Sequence, residues 1–388
     1  MSFDSHVRKA QHLLELDRPS EAATEFSRAL ATDPHDVVAL SGLAICEHEL
    51  GNTKSAYERI KQAMGEDPDD PYPKYVYARM LIEDEKDREA IEVARELVEI
   101  DPEDADYWAI LSQALVGTSE WSQALKAAEN GLTLDPSHAH SLHLRAHCLS
   151  VLGQRGAAED ASLEVLAQDA ESSYAHSTRG WSQMRAGNVR DASRSFAEAL
   201  RLDAENDSAR TGLKEAFRGL FPPYRWLQAF GYFQERIGKY SWVLIIGLIA
   251  LNRSLRAFVR SDPPPLLKGA AIGVGVLLIF VMWGWPILNP IMNVVLRLHP
   301  VGRHILTRPE RIQVRYVSGL IGLGVGTAIV SLITGRGWLA GILCIVGIAA
   351  LGLTGMVTSS DRLRNGIAHV VGGVFLVLSI IAFVSAAV

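Results

Sequence analysis

Residues 105–138 read ADYWAILSQALVGTSEWSQALKAAENGLTLDPSH. They describe a helix, a tight turn, a second helix and a stop at Asp135-Pro136, because proline disfavours helical geometry in the residue before it. Shifted by 34 residues in either direction, the plan repeats. Alanine recurs at Ala22, Ala56, Ala90, Ala124, Ala158 and Ala192, and aspartate at Asp33, Asp67, Asp101, Asp135, Asp169 and Asp203. A third series, Ala10, Ala44, Ala78, Ser112, Ala146 and Gly180, holds only small residues, which let two helix backbones cross closely. Proline follows the aspartate at Pro34, Pro68, Pro102 and Pro136 and gives way to Ala170 and Ala204. Gly51, Gly153 and Gly187 mark the turn, where a left-handed residue ends the first helix at little cost. A fixed period of this length predicts stacked helix pairs that bury a continuous core.

The pattern resembles the tetratricopeptide repeat, carried most clearly by Trp108, Leu111, Leu115, Ala124 and Pro136. The resemblance covers about residues 3–206, as units 3–36, 37–70, 71–104, 105–138, 139–172 and 173–206. Residues 207–220 continue the helical pattern and are expected to form the polar-faced cap that such an array needs. The expected fold is all-α: a tetratricopeptide-repeat α-solenoid of six units plus a capping helix, followed by a transmembrane helix bundle.

The resemblance implies a concave groove lined by first helices and suited to a protein or peptide partner. Carried over by register, its groove positions fall on Tyr72, Tyr75 and Arg79 in the third unit and Gln113 in the fourth. The fifth contributes His140, His143 and His147, and the sixth Tyr174, Trp181, Met184 and Arg185. Aromatic and arginine side chains are favoured at binding surfaces; the alternative for any one of them is packing between repeats. The regular Lys and Asn set that grips a terminal carboxylate in chaperone-binding members of the family is missing. The three histidines share one helix face at i, i+3 and i+7, but no Asp, Glu or Cys joins them there, so no metal and no cofactor are expected.

Charge divides the chain. Residues 1–210 carry 21 Lys+Arg against 39 Asp+Glu, and residues 211–388 carry 17 against 5, for net charges of −18 and +12. An acidic solvated arm and a basic or membrane-bound remainder fit that split. Nucleic acid is not an expected partner, since its phosphates would be repelled by the acidic half. Cys46, Cys148 and Cys344 have no disulfide or metal spacing, which fits a reducing compartment. The N-terminus lacks the apolar core of a signal peptide, so the repeats are expected on the cytoplasmic side.

From Phe221 the composition changes. FPPYRWLQAFGYFQERIGKYSW alternates aromatics and cations as at a bilayer surface, so 207–239 reads as a capping helix and an interfacial linker. The remainder, 240–388, reads as a membrane domain with about five transmembrane helices, at 240–258, 268–289, 316–334, 337–357 and 365–387. Each of the last four has about 20 apolar residues, enough to cross ~30 Å of hydrocarbon. The first has the short apolar core WVLIIGLIAL before Asn252, Arg253 and Arg256, and either spans by snorkelling or lies re-entrant. Arg297, Arg303, Arg308, Arg311 and Arg315 with the single acid Glu310 mark their loop as cytoplasmic, and cytoplasmic repeats then require an odd number of spans. This tail resembles that of a bacterial group of proteins joining these repeats to a membrane region, through Phe221–Trp226 and Trp283–Leu306. That resemblance brings no chemistry with it.

Catalytic patterns fail on inspection. His48-Glu49-Leu50-Gly51-Asn52 has asparagine where the helical zinc motif needs its second histidine. Gly322, Gly324 and Gly326 lie in an apolar span with no strand before them, where they suit helix packing. The expected spans hold no Asp or Glu, which argues against ion-coupled transport or intramembrane proteolysis. The expected function is a non-enzymatic scaffold or adaptor of a bacterial inner membrane that binds a protein or peptide partner. The alternative is a regulatory or assembly subunit of an integral membrane complex, partnered through its spans.

Overall fold

The computed structural model describes residues 3–238, 241–298, 305–307, 310, 311, 314, 315 and 318. Among them sixteen helices follow one another. The first ten are α1 (Phe3–Glu15), α2 (Pro19–Leu30), α3 (Val37–Glu49), α4 (Thr53–Glu66), α5 (Pro71–Glu83), α6 (Asp87–Ile100), α7 (Ala105–Gly117), α8 (Trp121–Leu134), α9 (Ala139–Val151) and α10 (Arg155–Gln168). Then come α11 (Ser173–Ala186), α12 (Val189–Leu202), α13 (Asp207–Gly219), α14 (Pro222–Ile237), α15 (Ser241–Arg260) and α16 (Pro265–Leu298). They form two compact units, Met1–Ala170 and Glu171–Val388. The sixth repeat therefore belongs with the tail.

In the first unit each odd-numbered helix packs on the even helix after it, and α1, α3, α5, α7 and α9 also neighbour one another in a row. The turn within each repeat has one geometry. Asp17, Gly51, Glu85, Ser119 and Gly153, 34 residues apart, all take a left-handed φ, between 55° and 80°. The next amide reaches back to the last turn of the first helix, as in Arg18 N to Leu13 O at 2.9 Å and Glu120 N to Leu115 O at 2.9 Å, and so satisfies carbonyls the helix end would leave open.

Between repeats the recurring aspartate does more than precede proline. Its carboxylate accepts the amide two residues on, Asp33 from His35 at 3.1 Å, Asp67 from Asp69 at 3.1 Å, Asp101 from Glu103 at 3.0 Å and Asp135 from Ser137 at 2.8 Å. In the second unit, where Ala204 replaces the proline, Asp203 still accepts from Glu205 at 2.8 Å. One residue further on, Asp36, Asp70, Asp104 and His138 cap the following first helix by accepting one of its free amides. The small-residue series marks the close crossings: Ser112, buried among alanine positions, donates to the carbonyl of Ala124 at 2.8 Å.

The junctions between repeats are filled by pairs of complementary size. Phe26 is 1% exposed, and a Cβ placed on Gly42 would fall within 3.0 Å of its ring. At the same register Ile60 meets Val76, Ala94 lies in one cluster with Ile110, and Ala128 with Leu144. As one partner shrinks, the other grows.

In the second unit α11, α12 and α13 pack mutually, with the Phe196 ring against both Gly180 and Gly212. The expected polar-faced cap, α13, is only partly solvated: Leu213, Lys214, Ala216, Arg218 and Gly219 are buried as α14 and α16 pack on it. Lys214 Nζ donates to Glu310 at 2.9 Å, and Arg218 donates to Glu215 at 2.5 Å and to Asn293 at 2.5 Å. Tyr224, fully buried, donates to Glu215 at 3.0 Å, and Gln228 to the Glu215 backbone at 2.8 Å. Thr307 closes the cluster by donating its amide to Glu310 at 2.8 Å. Burial is tolerable for these cations because carboxylates accompany them.

The expected segment 240–258 corresponds to α15, and 268–289 lies inside α16. Side chains at 276, 277 and 279–291 fall outside the described set, as do the expected segments 316–334, 337–357 and 365–387 apart from residue 318. Among the described residues no helix is long and apolar enough to cross a membrane.

Candidate peptide-binding groove

The row of first helices in the first unit brings Tyr72, Tyr75 and Arg79 of α5 next to α7, which carries Gln113, and then α9, which carries the histidines. Tyr72 is exposed, Tyr75 half-buried and tilted against Tyr107 at 6.2 Å, and Arg79 exposed, 3.8 Å from Glu83 on its own helix. Gln113, His140, His143 and His147 are all half-buried. His147 turns its ring edge to the indole of Trp121 on α8, 5.7 Å between centroids.

Burial, with smaller effects of neighbouring charges, tunes these side chains. Burial pushes the Tyr75 phenol up, helped by Asp106 and opposed by Arg79. Burial raises the Tyr72 phenol against the same Arg79. Burial lowers the His140 imidazole, with His138 and Arg79 adding to the shift and Asp106 opposing it. His143 is pushed down to about 4 by burial and then by His140. Both imidazoles are therefore neutral hydrogen-bonding groups near pH 7.

Sequence reasoning missed Asp106 and His138. His138 accepts from the Ser141 amide at 3.3 Å through Nδ1 and meets Asp106 at 3.1 Å through Nε2. The signal for Asp106 was available, since it lies 34 residues after Tyr72 and 34 before His140. Among the described residues no group of three or more His, Cys, Asp or Glu is placed to hold a metal ion.

The sixth-repeat positions lie in the second unit. Tyr174 is exposed on α11. Trp181 packs edge-on against Phe196 at 5.3 Å and donates its indole N–H to Ser208 at 3.0 Å. Met184 is buried in the same cluster. Arg185 stands over the rings of Trp181 and Tyr232, at 5.8 and 5.6 Å, and pairs with Glu235 of α14 at 2.8 Å. In this unit the chain's own α14 engages the side chain expected to face a ligand.

The sequence profile of the tetratricopeptide repeat matches residues 13–72 and 47–114. Among solved structures, a chain of the APC/C hetero-tetramer Cut9–Hcn1 is similar with a TM-score of 0.50 at 18% identity, over 55% of this chain and 43% of that one. This chain thus spans less than half the length of that relative. TTC0263, a tetratricopeptide-repeat protein of Thermus thermophilus, aligns at 22% identity over 55% of this chain and 98% of its own, with a TM-score of 0.35. YrrB, described as having an unusual peptide-binding site, aligns at 17% identity over 49% of this chain and 97% of its own, with a TM-score of 0.36. No curated protein matches the chain. Residues 13–114 thus match tetratricopeptide repeats, and the helix pairs have the all-α fold of a tetratricopeptide-repeat solenoid.

Proposed function

We propose that this chain is a non-enzymatic scaffold, anchored in a bacterial inner membrane with its repeats in the cytoplasm, that holds a segment of a partner protein across α5, α7 and α9. The observation that carries the reading is the contiguous strip of Tyr72, Tyr75, Arg79, Gln113, His140 and His143. It offers aromatic faces, one cation and neutral imidazoles on rigid helices, with Asp106 held by His138 at its centre. Such a surface takes an extended or helical segment by aromatic contact and side-chain hydrogen bonds. Anchoring is supported by the charge asymmetry of the halves, by the long apolar stretches of 268–387 and by the exposed Val243, Ile246, Ile249 and Leu251 of α15.

The test is a photo-crosslinking residue at position 72 of the full chain in intact membranes, with position 92 on α6 as the control. A protein adduct specific to position 72, and lost in Tyr75→Ala and Arg79→Ala, is the expected result. Equal adducts from both positions would overturn the groove assignment. Adducts confined to probes within 316–387 would favour the alternative of a subunit partnered through its spans. Alkaline extraction, with reporter fusions at Met1 and Val388, tests the anchor: release from the membrane refutes it, and same-side readings refute the odd number of spans.

A further inference from the structure

The helix α14 has two unlike faces. Tyr224, Leu227 and Gln228 are buried against the cap, and Tyr232 and Glu235 engage Arg185. The single acid of the helix is therefore turned inward and neutralised. The other face carries Arg225, Trp226, Ala229, Phe233 and Arg236 at helical spacing, all exposed, and Leu220 and Phe221 extend it at the N-terminal end. Trp226 is 72% exposed and Phe233 50%. Two large aromatics flanked only by cations make a face that water solvates poorly and an anionic surface suits well. A second copy would bring the same cations against these, which disfavours self-association through this face.

We infer that the outer face of α14 docks on anionic phospholipid headgroups, with Trp226 and Phe233 entering the boundary between headgroups and acyl chains and Arg225 and Arg236 meeting phosphates. Helices of this composition lie in the interface plane, and anionic lipid adds to the apolar attraction. The inference rests on the proposed proximity to a membrane and does not need any segment to span it. It gives the helix that closes the repeat array a second partner on its opposite face.

The experiment uses the full chain carrying Phe233→Cys and Cys344→Ser, with a nitroxide on position 233. Cys46 and Cys148 are buried and their thiols are pushed up to about 12, so neither competes for the label. The chain is mixed with vesicles of phosphatidylcholine alone or with phosphatidylglycerol, and the label's access to oxygen is compared with its access to a water-soluble relaxant. The expected result is a lipid-immersed label on phosphatidylglycerol vesicles, and a return toward water on phosphatidylcholine or in Arg225→Gln/Arg236→Gln. Where binding is peripheral, the double variant weakens it roughly 25-fold. A label equally wet on both vesicles overturns the inference, as does one shielded from both relaxants in lipid-free solution, which would mean a protein covers the face. An alkaline wash of the same vesicles reports separately on the spans: release of the chain refutes spanning and leaves the depth measurement to decide α14.

Discussion

The pairing of Phe26 with Gly42 predicts a double substitution far milder than either part. Phe26→Ala empties a fully buried ring site and is expected to cost about 4 kcal/mol. Gly42→Leu alone drives a side chain into the Phe26 ring and is expected to cost about 3 kcal/mol. Together they recreate the arrangement that the chain uses at Ala128 and Leu144. The double variant removes about six carbon atoms and restores about four, a shortfall of about 2 kcal/mol at ~0.8 kcal/mol per methylene. The coupling is then about 5 kcal/mol, above the ~0.5–3 kcal/mol common for touching residues, because each change fills the fault the other creates. For a unit of this size the Phe26→Ala loss is roughly 8–16 °C in melting temperature, and the double variant recovers about half of it or more. Thermal melting of the full chain, with hydrogen exchange of α1–α3 to confirm that the loss is local, is the assay. A double variant as unstable as the worse single would refute the size-complementarity argument.

Further predictions rest on other features. Ser119 holds a left-handed φ of 59° without being glycine, so Ser119→Gly should stabilise by about 0.5 kcal/mol, whereas Gly153→Ala should destabilise by about 1 kcal/mol, both read as shifts in urea midpoint. Glu310→Gln withdraws the carboxylate beside nearly buried Lys214 and close to Arg218, and should loosen the docked cap by about 3 kcal/mol, seen as roughly 100-fold faster hydrogen exchange in α13. The folded chain holds His143 down at about 4, below its ordinary value of 6.5. The unfolded chain therefore binds a proton that the folded one refuses across that window, and stability falls as pH drops from 6.5 toward 4. His143→Leu should flatten part of this slope in denaturation at successive pH values, and an unchanged slope would count against it.

The helices were legible because one period repeats in a chain with no insertions, and the Asp-Pro stops and three glycines set their ends. The turn was legible only in part: Asp17, Glu85 and Ser119 share the glycine geometry, but their identities say nothing of it. The helix caps were hidden for the opposite reason. Positions 36, 70, 104, 138, 172 and 206 carry aspartate, histidine, serine or asparagine, four residue types doing one task that no letter count detects. The candidate positions on α5 and α9 were placed by register, and Asp106 would have joined them had the same register been read through an unremarkable acid. Docking of the cap was out of reach. It depends on pairs such as Arg218 with Asn293, 75 residues apart, whose side chains look ordinary until a fold brings them together.

That separation has a consequence for the order in which the molecule is made. Neighbouring repeats contact over short stretches of chain, so each helix pair can settle as soon as it leaves the ribosome. The partner of Lys214 is Glu310, 96 residues later. At ~5–20 residues per second, the finished array waits roughly 5–20 s with its last helix uncovered. During that wait Lys214 lacks the carboxylate that accompanies it in the finished fold, whereas Arg218 already has Glu215 on its own helix.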